Sequence, residues 1–134
     1  SRVNSGAYAS DSGTADVIDL LCEDGPLIAV NKPPGLATQA PPQFPSLEEA
    51  TKAYLKDKHR KPGNVYLGIP HRLDRPVSGV VVFAKNSKAA ARLAEQFQQR
   101  QTRKIYWALL ETPLDAAGGA LVDFVRKIPD EPRA

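Results

Sequence analysis

His71-Arg72-Leu73-Asp74-Arg75-Pro76-Val77-Ser78-Gly79 leads directly into Val80-Val81-Val82-Phe83-Ala84. The second half is apolar and largely β-branched, the pattern of a central buried strand. The first half is charged, and two residues limit its backbone. Pro76 biases Arg75 away from helix, and Gly79 reaches conformations that other residues resist. The stretch therefore reads as a stiff loop feeding a strand. Within that loop a single carboxylate, Asp74, stands between two guanidinium groups, Arg72 and Arg75. Function concentrates on loops held by a rigid scaffold. Nearby positive charge favours an ionised carboxylate, which can attack an electrophilic sugar carbon. The same pattern also fits a surface loop whose charges pair with one another, an arrangement worth little energy.

Working outward, Leu27 to Val30 reads as another buried strand, preceded by a Glu23-Asp24-Gly25-Pro26 turn and stopped by Asn31-Lys32-Pro33-Pro34-Gly35. The run Val17 to Cys22 fits either a strand or one helical turn. Five prolines make Lys32 to Pro45 a non-helical loop. Ser46 and Glu49 form a capping box for a helix whose apolar face is Leu47, Ala50, Tyr54 and Leu55, fading near Lys58. Val65 to Ile69 is a short strand. Ser87 is the expected N-cap of a second helix with Ala90, Leu93, Ala94 and Phe97 as its stripe. Arg103 to Leu110 and Ala120 to Val125 read as further strands. The expected class is α/β (α+β), a mixed, largely antiparallel sheet with flanking helices. Residues 1–15, mostly small and polar, read as a flexible leader, and 16–134 as one domain that lacks a closing element.

The composition of this 134-residue chain, 42% hydrophobic and 25% charged, is that of a soluble globular protein. Its longest apolar run, Ile105 to Leu110, is far short of the ~18 residues of a membrane span, and no secretory signal is visible. The single cysteine, Cys22, excludes an internal disulfide and any multi-thiolate zinc site, and reads as a small core residue. These features fit a cytoplasmic protein. The net charge of +3 is unevenly placed. Lys52, Lys56, Lys58, Arg60 and Lys61 crowd one stretch, Arg100, Arg103 and Lys104 another, and such clusters suit either phosphate backbones or solvent. His59 and His71 lack metal-ligand spacing, so no metal site is expected, and His59 reads as solvated. No nucleophile elbow, P-loop or dinucleotide fingerprint occurs.

Three ordered stretches resemble the RluA-type pseudouridine synthases: Leu27 to Leu36 with its Lys-Pro-x-Gly turn, His71 to Ala84, and Arg103-Lys104-Ile105-Tyr106-Trp107-Ala108. The resemblance implies isomerisation of uridine to pseudouridine in RNA, tRNA or rRNA, with no metal or organic cofactor and no membrane or protein partner. It makes Asp74 the nucleophile, acting on the ribose or assisting proton removal there. Tyr106 would stack on a flipped-out uracil. Arg72 would enter the gap left in the RNA stack or contact a phosphate. His71 would touch the RNA backbone or brace the loop. Arg75 and Lys104 would serve as phosphate contacts. Lys32, also placed among the RNA-binding residues, would hold the first turn against the active-site loop. Trp107, opposite Tyr106, and Leu73 are expected in the core. Pro76 and Val77 depart from the family's polar residue and Thr, which implies altered loop packing. A later Gln-Ile-Arg-type motif, whose arginine pairs with the aspartate, is absent, so this chain alone is expected to be a weak or inactive portion of the catalytic domain. The alternative is a non-catalytic RNA-binding module.

Overall fold

The structure, a computed structural model, describes residues 18–130, together with the backbone of two short strands, β1 (Arg2–Val3) and β2 (Ala7–Tyr8). The rest of the expected leader lies outside the described residues. Three longer strands follow: β3 (Ile18–Asp24), β4 (Leu27–Lys32) and β5 (Gly79–Ala84). Helix α1 (Leu47–Lys58) lies between β4 and β5 in sequence, and α2 (Ser87–Gln98) follows β5. The sheet order is β1-β3-β4-β5, with β2 also on β3, and every ladder is antiparallel. This is the expected α+β class, with the strand ladders all antiparallel where a mixed, largely antiparallel sheet was expected.

Strand β4 shows why the sheet has one dry face. Ile28, Val30 and Lys32 are buried while the residues between them are half-exposed, the period-two alternation of a strand. Ile28 and Val30 meet Val81 and Phe83 of β5, Ile18 and Leu20 of β3, and Leu47, Tyr54 and Leu55 of α1 in one core cluster. Burying side chains of this size contributes roughly 1.5–3 kcal/mol each. The Ser46 hydroxyl caps α1 by accepting from Glu49 N at 3.2 Å. The Glu49 carboxylate lies 3.8 Å from Lys52. The cap of α2 is Asn86, one residue earlier than expected, its side-chain oxygen accepting from Ala89 N at 2.8 Å. Ser87 is already helical.

Further expectations need correction. Strand β5 ends the sheet path instead of lying centrally, and Val80 is 55% exposed. Val65 to Ile69 supplies only a single bridge, Gly68 to Ala84. Gly68 has a steric reason: a Cβ there would lie 2.5 Å from the Ala90 Cβ of α2. Cys22 is half-buried, because β3 bulges between Leu20 and Cys22. The extra residue reverses the alternation, so Glu23 turns toward α1 in its place.

There Glu23 gathers cations from distant parts of the chain. Lys58 lies 2.6 Å away, Lys85 2.9 Å and His59 3.1 Å, and the Tyr54 hydroxyl donates at 3.3 Å. His59 is therefore paired, not merely solvated. Burial alone would raise the Glu23 pKa, but the hydrogen bonds from Lys58, Lys85 and His59 outweigh it and lower the value to about 2. A depressed carboxylate pKa stabilises the fold above the unfolded value and loses that stabilisation as pH falls through the folded one. The ordinary value is 4.5, so the loss falls between about pH 4.5 and 2. At roughly 1.4 kcal/mol per unit this is on the order of 3 kcal/mol. Glu23→Gln is expected to flatten the acid limb of a stability-against-pH curve over that window, as read by urea unfolding.

The chain divides into two compact units, 1–103 and 104–134. In the second, the described residues form no helix or strand. The strands expected at Arg103 to Leu110 and Ala120 to Val125 are thus irregular, and Trp107 is 99% exposed instead of core. Strand propensity alone does not hold such a segment; a neighbouring ladder must take its N–H and C=O groups. Among the described residues no helix is long and apolar enough to cross a membrane.

Candidate active site

The Asp74 loop is built on the turn that follows β4. Lys32 is completely buried, the next inward position after Ile28 and Val30. Its ammonium donates to three carbonyls: Leu36 at 2.7 Å, Pro33 at 3.0 Å and Arg75 at 3.0 Å. Burial pushes its pKa below the usual lysine value, and the nearby negative charge of Asp74 partly opposes that fall. Gly35, at φ +90°, donates its N–H to the same Arg75 carbonyl at 2.7 Å. A β-carbon would strain that conformation, which explains a glycine in this turn. Lys32 therefore spends its donors inside the protein. It joins the Pro33–Leu36 turn to the Asp74 loop and, being fully buried, offers no surface for direct contact with RNA.

Thr38, not singled out from sequence, makes a second link. Its Oγ1 donates to the Leu73 carbonyl at 2.7 Å and accepts from Leu73 N at 3.1 Å. Asp74 thus sits between a residue tied to Thr38 and one tied to Lys32 and Gly35. A turn closes over it, with Val77 N donating to the Asp74 carbonyl at 3.0 Å. The side chains of Arg72, Asp74 and Arg75 are exposed. Neither arginine forms a salt bridge to Asp74. The charges are not spent on one another, so the plain surface-pairing picture does not hold. Leu73 is half-buried against the core.

His71 has a structural task. Its Nε2 accepts from Val82 N at 2.9 Å, which places the ring hydrogen on Nδ1, and the ring stacks on Phe97 with centroids 4.6 Å apart. These contacts tie the start of the Asp74 loop to β5 and α2. Tyr106 and Lys104 belong to the second unit, where Tyr106 is 62% exposed. Among the described residues no group of His, Cys, Asp and Glu could hold a metal ion.

The sequence that builds this loop is similar to that of known proteins. A family model described as RNA pseudouridylate synthase matches residues 26–130. An uncharacterized RNA pseudouridine synthase of Mycoplasma pneumoniae is 39% identical over 104 residues, which cover 78% of this chain and 32% of the relative. The dual-specificity RNA pseudouridine synthase RluA of Vibrio vulnificus is 35% identical over 103 residues, 77% of this chain and 39% of that protein. Among solved structures, human RNA pseudouridylate synthase domain containing 4 matches with a TM-score of 0.53 and 30% identity, over 61% of this chain and 30% of that one. The chain spans between about 30% and 39% of the length of these relatives. The matched region contains the Lys32 turn and the whole of the Asp74 loop, so the chain belongs to the RNA pseudouridylate synthase family.

Proposed function

We propose that this chain carries the nucleophile-bearing part of an enzyme that converts uridine to pseudouridine in RNA, with tRNA or rRNA as substrate, in the cytoplasm. Asp74 is the nucleophile. Its carboxylate acts on the ribose of a flipped-out uridine, or assists proton removal there, while the glycosidic bond breaks, the uracil turns and the ring rejoins through carbon. Tyr106 stacks on the extruded base, an interaction worth ~1–3 kcal/mol that offsets part of the unstacking. Arg72, whose planar guanidinium stacks better than an ammonium, fills the gap in the RNA, and Arg75 and Lys104 meet phosphates.

One observation carries this reading: an exposed carboxylate, unpaired with its neighbouring arginines, on a loop whose peptide groups are tied down on both sides. Such fixing is what a reacting group needs, since misplacement by about 1 Å can cost a hundredfold in rate. The names of the relatives support the substrate class. The test is to incubate the full-length protein with tRNA and rRNA transcripts and analyse the digested nucleosides. Accumulating pseudouridine supports the assignment. RNA retention without product would point instead to a non-catalytic binding module, and neither would end both readings.

A further inference from the structure

Thr38 has no part in the reaction proposed above, yet it is 3% exposed and reaches across 35 residues of sequence to the loop that bears Asp74. One hydroxyl serves both peptide groups of Leu73. Accepting from Leu73 N fixes the peptide between Arg72 and Leu73, and donating to the Leu73 carbonyl fixes the peptide that leads into Asp74. A hydroxyl is the smallest side-chain group that donates and accepts through one atom. Thr38 is itself held from behind. Its carbonyl accepts Glu48 N at 3.0 Å, and the Ala37 carbonyl accepts Leu47 N at 2.9 Å, so the first turn of α1 anchors it. Beyond Asp74, the Arg75 carbonyl is held by Lys32 and Gly35.

We propose that Thr38 is a positioning residue for Asp74, its hydroxyl setting the approach of the chain and hence where the carboxylate stands. The proposal rests on the reading of Asp74 as nucleophile, and goes beyond it by assigning a residue that touches neither RNA nor the reacting atoms. Valine matches threonine in shape but removes both hydrogen bonds, and serine keeps both. The backbone bonds to α1 are independent of the side chain and survive either change.

The experiment compares wild type, Thr38→Val and Thr38→Ser in the full-length protein by steady-state pseudouridine formation and by amide hydrogen exchange. In Thr38→Val, kcat is expected to fall on the order of ten- to a hundredfold with KM within about twofold, because ground-state RNA contacts are untouched. The Leu73 amide is expected to exchange at least about tenfold faster, while the α1 amides stay protected. Thr38→Ser is expected to restore both readouts. Wild-type kcat in Thr38→Val, a change confined to KM, or equal impairment in Thr38→Ser would overturn the proposal. If wild type forms no pseudouridine, the nucleophile reading has failed by itself. Exchange at Leu73 then decides the hydroxyl's role: acceleration in Thr38→Val alone supports it, and an unchanged rate overturns it.

Discussion

Asp74→Asn and Asp74→Ala are expected to lower pseudouridine formation by at least about a thousandfold, the scale on which enzymes lose rate when a nucleophile is removed. The two substitutions separate charge from shape. Asparagine keeps the size and planarity of the side chain but cannot attack as a carboxylate, so both variants should be equally inactive. Because Asp74 is exposed, neither should move the unfolding free energy by more than about 0.5 kcal/mol. RNA affinity should persist, since the arginines on either side remain. The measurements are nucleoside analysis after digestion, urea unfolding and filter binding. Product at wild-type rate from Asp74→Ala would remove Asp74 from the chemistry altogether.

Lys32→Met is expected to be the most destabilising substitution in the loop region, by roughly 3 kcal/mol. Methionine fills the same space but leaves the carbonyls of Pro33 and Leu36 without their donor and takes from the Arg75 carbonyl one of its two, Gly35 N being the other, and a polar group left unsatisfied away from water costs about 1–3 kcal/mol. Relief from keeping an ammonium away from water offsets part of that sum. Lys32→Arg should be no remedy, because a flat fork cannot reach three carbonyls arranged around a point charge. Urea unfolding measures the loss, and pseudouridine formation should fall with it as the Arg75 side of the loop loosens. Unchanged stability in Lys32→Met would show that this buried cation does not bind the two turns together.

Much of this was legible in the residues, and the exceptions have physical causes. The unbroken apolar run Leu27 to Val30 marks strand β4, and the two-residue period of a strand, carried one step past Val30, places Lys32 on the buried side. The identity of lysine, normally a surface residue, works against that reading. Ser46 signalled the start of α1 because a hydroxyl before an apolar stripe has few other uses. Asn86 and Ser87 are both competent caps, and only the chain's exit from β5 decides between them. Thr38 could not be found locally, since its partner lies 35 residues away. The Glu23 cluster depends on a bulge that no alternation pattern foretells. Ile105 to Leu110 has the composition of a strand, but composition does not provide the neighbour that a strand needs.

The contact between His71 and Val82 has a consequence for how the protein behaves in company. Strand β5 ends the sheet path, and the rim of a sheet invites extension by any extended chain that passes. At two successive outward positions that invitation is withdrawn. Val82 gives its N–H to an imidazole, and Ala84 exchanges both of its backbone bonds with Gly68. A side chain from the Asp74 loop thus doubles as a guard against intermolecular strand addition, tying the behaviour of the exposed sheet edge to the integrity of that loop.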